Sequence, residues 1–121
     1  MKRVLWVSRH KITDSQKAGL CDFFGEEAEV VADPRPFDDA REIARRFKSG
    51  GYDDIVVVAP LSVIAVLCEE AQKLGIRKPL YSQAAEENDP KKIEFRGARG
   101  QGFRFLRFRR VVELRLVFED E

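Results

Sequence analysis

An α/β fold built on a mostly parallel sheet is what this 121-residue sequence predicts, and three observations predict it. Strand-like and helix-like segments alternate over residues 1–83 in the order β-α-β-α-β-α-β. Two of the strand-like segments, Val4-Leu5-Trp6-Val7 and Ile55-Val56-Val57-Val58-Ala59, are continuous apolar runs of the kind that parallel sheets bury on both faces. Glycines close the helix-like segments at Gly25, Gly50-Gly51 and Gly75.

Arg3 to Ser8 reads as the first strand. Thr13-Asp14-Ser15-Gln16 then matches a capping box, in which Thr13 caps the Gln16 amide and Gln16 reaches back. Ala18, Leu20, Cys21 and Phe24 follow at near-helical spacing. Ala28 to Ala32 is a short second strand, and Asp33-Pro34-Arg35-Pro36 a loop. Phe37-Asp38-Asp39 opens a second helix with Ala40, Ile43, Ala44 and Phe47 on one face. Its acids precede its bases, as the helix dipole prefers. Asp54 to Ala59 is the clearest central strand, broken by Pro60. A third helix runs from Leu61 to Leu74, and Pro79 to Ser82 reads as a fourth strand. Right-handed crossovers between such strands make a Rossmann-like layer.

After residue 83 the pattern changes. Glu86 to Pro90 is a polar turn. Lys92–Arg96, Phe103–Phe108 and Val111–Phe118 read as strands, joined by the glycine-rich stretch RGARGQG at 96–102. The expectation is one domain, with residues 84–121 forming a basic β-strand extension, either antiparallel strands at the sheet edge or a dimerising β-element. Between Lys91 and Arg115 stand nine basic residues against two acids, Glu94 and Glu113, although the whole chain carries a net charge of only +1. Such a segment predicts an anionic partner or a set of solvated strand faces.

Composition excludes several classes. No apolar run reaches the length of a membrane span, and the opening MKRVLWV reads as a strand rather than a signal peptide, so a cytoplasmic protein is expected. Cys21 and Cys68 read as buried thiols rather than a disulfide. One histidine and no close cysteine pair give no metal site. Without GxGxxG or GxxxxGK[ST], no nucleotide cofactor is expected.

Ligands of open α/β sheets bind beyond the carboxyl ends of the strands. That rule selects Ser8-Arg9-His10, Pro60-Leu61-Ser62 and Ser82-Gln83 as candidate loops. His10 titrates near neutrality and suits general acid–base work, with a plain loop residue as its alternative. Arg9 suits a phosphate or the charge that develops on phosphoryl oxygens. Ser8 and Ser62 offer hydroxyls to a ligand, or to a local turn or cap. Thr13 and Gln16 are explained first by capping. Arg99, Arg104 and Arg107 suit phosphate contacts, and Phe103 or Phe105 suit base stacking or a half-buried strand face.

The stretch LWVSRHKITDSQ resembles the N-terminal motif of small CRISPR-associated proteins with a single Rossmann-like domain. In these a strand ends at a histidine followed by x-[LI]-T-x-x-Q, here His10, Ile12, Thr13 and Gln16. They are similar in size and plan to the CARF-type domains of type III CRISPR systems, and several are ring nucleases. The resemblance implies binding and metal-independent cleavage of a cyclic oligoadenylate, with cyclic tetra-adenylate the expected ring. His10 and Arg9 would be catalytic. Ser8, Thr13, Leu61, Ser62, Ser82, Gln83, Arg99 and Arg104 would contact the ligand. It also implies a homodimer and no cofactor. The alternative function is a non-catalytic binding module, for a cyclic nucleotide or for linear nucleic acid held by the basic segment.

Overall fold

The computed structural model describes residues 1–114 together with 117 and 119. Among the described residues six strands and three helices follow one another as β1 (Lys2–Val7), α1 (Asp14–Phe24), β2 (Ala28–Asp33), α2 (Ala40–Gly50), β3 (Asp54–Val57), α3 (Leu61–Leu74), β4 (Leu80–Glu86), β5 (Phe95–Arg96) and β6 (Gly102–Arg110). They form a single mixed sheet in the order β2-β1-β3-β4-β6-β5. The first four strands pair in parallel, and β6 runs antiparallel to both β4 and β5.

Alternation along the strands divides the core into two. Val4, Trp6 and Val56 point to one face, where they pack with Leu20 of α1 and Phe108 of β6. Leu5, Val7, Ile55 and Val57 point to the other, against Ile43, Ala44 and Phe47 of α2 and Leu67 of α3. The two apolar runs are therefore unbroken because β1 and β3 have a helix layer on each side. The indole of Trp6 meets Phe108 edge-on, with ring centroids 6.2 Å apart and planes at 87°, a geometry worth about 0.5–1.5 kcal/mol beyond the buried area. Helix α1 comes close to β6 at Gly19, where a Cβ would lie 2.6 Å from the Phe105 ring.

The capping box predicted for α1 is present, with Thr13 as N-cap and Gln16 reaching back to it. Helix α2 begins at Ala40 rather than Phe37, because Asp39 takes the cap and accepts the Arg41 amide at 2.9 Å. Strand β3 stops at Val57, short of the expected Ala59. Strand β4 instead runs on to Glu86, since β6 gives it an antiparallel partner from Leu80↔Arg110 to Glu86↔Phe103, with a register shift at Gln83/Ala84. The expected strand at Lys92–Arg96 is reduced to Phe95–Arg96; Lys92 is turned toward the Asp89 carbonyl instead.

The strand expected at Val111–Phe118 is a correction: residues 111–114 form no strand. The ladder ends there because β4 starts at Leu80, opposite Arg110, and the Val111 amide already bonds the Pro79 carbonyl. Arg115, Leu116 and Phe118 lie outside the described residues.

One pairing decides where the site lies. Strands β3 and β4 share only Val56↔Leu80, and β3 ends one residue later. The β4–β6 ribbon therefore projects past the carboxyl ends of β1 and β3 and walls the space beyond them.

Candidate functional site

From β1 the chain crosses by α1 to β2 on one side, then returns by α2 on the opposite face to β3 on the other side. Loops leaving adjacent strands in opposite directions open a crevice between the ends of β1 and β3. A cavity of about 270 Å³ lies there. Its floor includes Trp6, Ser8, Val57 and Val58; the α1 entry contributes His10, Lys11, Thr13 and Gln16. The projecting ribbon supplies Tyr81, Ser82 and Ala84, and β5 supplies Phe95 and Arg96.

The loop that carries His10 is pinned twice. The buried Ser8 hydroxyl accepts the His10 amide at 3.0 Å, the hydrogen-bonded turn that a serine two residues upstream favours. The Trp6 indole N–H donates to the His10 carbonyl at 3.2 Å. Backbone donor and acceptor are thus both engaged, while the exposed imidazole borders the cavity. Three residues on, Thr13 Oγ1 accepts the Gln16 amide at 3.1 Å and Gln16 Oε1 accepts the Thr13 amide at 3.0 Å. Gln16 also donates from Nε2 to Ser82 Oγ at 3.3 Å, tying α1 to β4.

The side chains around the cavity are electrically one-sided. Among the described residues His10, Lys11 and Arg96 line it, and no Asp or Glu does. Arg96 is steadied from behind by the Gly100 carbonyl at 3.0 Å. Phe95 stacks on Phe103, centroids 5.9 Å apart and planes 18° from parallel. Cationic donors beside aromatic faces suit a ligand that joins phosphate to a flat ring. Among the described residues no group of three His, Cys, Asp or Glu side chains is arranged to hold a metal ion.

Of the residues expected at the site, Ser8, His10, Thr13 and Ser82 come together in this cavity. Arg9 is exposed beside His10 but does not line it. Leu61 and Gln83 border a neighbouring groove with Tyr81 and Arg109, and the Gln83 amide accepts from Arg107 at 3.1 Å. Ser62 is exposed on the first turn of α3. Arg99 sits in the turn before β6, where its amide bonds the Gln101 side chain at 3.0 Å. Arg104 is paired with Glu87 at 3.0 Å.

Trp6, Lys11, Tyr81, Phe95 and Arg96 belong to the lining without having been expected there. Strand parity was a usable signal for Trp6, which shares a face with Ser8. Lys11 simply follows His10. Tyr81, Phe95 and Arg96 arrive through the overhang of the ribbon, which no local pattern encodes. No helix among the described residues is long and apolar enough to cross a membrane. No family model, curated protein or solved structure matches the chain.

Proposed function

We propose that the crevice binds a cyclic oligoadenylate and that His10 takes part in its metal-independent cleavage. The observation that carries this reading is the lining itself: His10, Lys11 and Arg96 with Phe95 and Tyr81 and, among the described residues, no carboxylate. A phosphodiester finds cations and donors there, and an adenine finds an aromatic neighbour.

The reaction is an in-line transfer within the ligand. A ribose 2′-oxygen bonds to the adjacent phosphorus, the bond from phosphorus to the 5′-oxygen breaks, and a 2′,3′-cyclic phosphate and a free 5′-hydroxyl result. One proton leaves the 2′-hydroxyl and one joins the 5′-oxygen. His10, its backbone held by Ser8 and Trp6, serves one of these transfers. Lys11 and Arg96 offset the charge on the phosphoryl oxygens. Positioning and electrostatics supply the rest of the acceleration.

At about 270 Å³ the cavity falls just below the roughly 300–1,000 Å³ of drug-sized sites. One chain then holds part of a tetra-adenylate ring, and two copies about a two-fold axis would hold all of it. Cleavage would switch off type III CRISPR signalling, the role implied by the resemblance of LWVSRHKITDSQ. Binding of linear nucleic acid by the basic segment has less support, because Arg104, Arg107 and Arg110 are engaged within the fold.

Incubation of the purified chain with cyclic tetra-adenylate in EDTA, with products resolved by chromatography, tests the reading. Linear products ending in 2′,3′-cyclic phosphate are expected. His10→Ala should slow cleavage roughly 10²–10⁴-fold and leave binding largely intact. Binding without cleavage by the wild type would make the protein a sensor; neither binding nor cleavage would end the proposal.

A further inference from the structure

Gln16 does more than cap a helix. It is only 7% exposed, and its amide has two partners. The Thr13 N–H can only donate, so it takes Oε1 and leaves Nε2 facing Ser82. A hydroxyl has one proton and two lone pairs. With Nε2 donating to Ser82 Oγ, the Ser82 proton is left to go elsewhere, and among the described residues no acceptor hydrogen-bonds it. Ser8 repeats the arrangement: its oxygen accepts the His10 amide, and among the described residues no acceptor takes its proton. Both hydroxyls border the cavity.

Capping alone does not call for this residue. Glutamate at the third helical position completes a capping box as well as glutamine does, and its charge suits a helix N-terminus better. A carboxylate would undo the other contact. It would take the Ser82 proton for itself and place negative charge beside His10, Lys11 and Arg96.

We propose that Gln16 is a positioning residue that makes the Ser82 hydroxyl a donor toward a phosphate oxygen in the crevice. This rests on the reading of the crevice as a site for a phosphate-bearing ligand. The amide is the part of the side chain that matters, since only an amide both accepts from Thr13 and donates to Ser82.

The test compares wild type, Gln16→Glu and Ser82→Ala by thermal melting and by calorimetric titration with cyclic tetra-adenylate and with adenosine 5′-monophosphate. Gln16→Glu should melt within a few degrees of wild type, because the cap is kept, yet bind roughly ten- to a hundredfold more weakly, the scale of a hydrogen bond to a charged group. Ser82→Ala removes the donor without touching the cap and should weaken binding in the same direction. Unchanged binding by Ser82→Ala overturns the proposal, whether or not Gln16→Glu folds. So does Gln16→Glu that melts and binds like wild type. If wild type binds the monophosphate but neither binds nor cuts the ring, the ring reading falls and the role of Gln16 is decided by the monophosphate titrations. If it binds neither probe, both fall.

Discussion

At the two ends of the sheet, polar side chains turned inward are arranged in opposite ways. At the amino end of β3, Asp54 is 1% exposed, and Arg110 grips both its oxygens at 2.7 and 2.6 Å. The same guanidinium donates to the Lys78 carbonyl at 2.7 Å and lies 5.7 Å from the Phe23 ring centroid. Three of its five N–H donors are spent on the fold. At the carboxyl end, no acceptor among the described residues takes the Ser8 or Ser82 proton, and His10, Lys11 and Arg96 border open space. Buried charge paired within the fold is architecture; donors converging on a cavity that no described carboxylate lines are open to a ligand that brings acceptors. Of the basic residues counted between Lys91 and Arg115, Arg104, Arg107 and Arg110 are paired within the fold and Arg96 borders the cavity, so charge summed over a segment overstates the charge offered to a partner.

The sharpest way to break the comparison is to remove one half of the buried pair. Arg110→Met keeps much of the apolar stem but leaves the Asp54 carboxylate buried without its partner. A loss of about 3–5 kcal/mol in urea unfolding is expected, with part of it recovered when Asp54→Asn is added. A loss below about 1 kcal/mol would mean that Arg110 is as dispensable to the fold as a surface arginine.

What the sequence made legible follows the same division between local and distant. The Thr13–Gln16 box, the start of α3 after Pro60 and the two buried strands rest on spacing within a few residues, and each is present. The position of Ser8 and His10 at the sheet edge followed from topology. The pairing of Arg110 with Asp54 joins residues 56 apart, and the link from Gln16 to Ser82 spans 66. Neither has a local signature. Arg96 counted toward a basic segment, but its place beside His10 depends on how far β4 outruns β3. The overextended strand at Val111 failed for a related reason: its apolar residues suit a strand, and β4 offers no backbone to pair with them.

Asp33 tests the comparison on the crevice side itself. It pairs in register with Val7 at the end of β1, yet its charge is already spent. Arg35 donates to it from Nε and from Nη2, both at 2.8 Å. That bond holds the Asp33 carboxyl below the ordinary value of 3.8, against the opposing effect of burial. A depressed pKa in the folded state stabilises above the unfolded value, and that stability is lost as pH falls through 3.8 and below. Arg35 is 66% exposed, so solvent screening keeps the pair's contribution small. Urea midpoints at pH 6 and pH 3 should therefore converge more in Asp33→Asn than in wild type. An equal acid loss in both would show that this pair does not set the acid limb.

The smallest effect is expected where the ribbon meets solvent. Arg104 pairs with Glu87 at 3.0 Å, with 45% of the arginine side chain exposed. Glu87 is held below the usual glutamate range chiefly by the Asp89 amide, and only secondarily by Arg104. Arg104→Ala should then leave the urea midpoint almost unchanged, as exposed pairs do. If Arg104 is committed to Glu87 rather than to the crevice, the same variant leaves titration with cyclic tetra-adenylate unchanged at every salt concentration. Arg96→Ala, in contrast, should weaken binding and flatten its dependence on salt, since a phosphate contact is lost with its released counterion. Equal effects from the two variants would join the ribbon to the site and erase the distinction between spent and unspent charge.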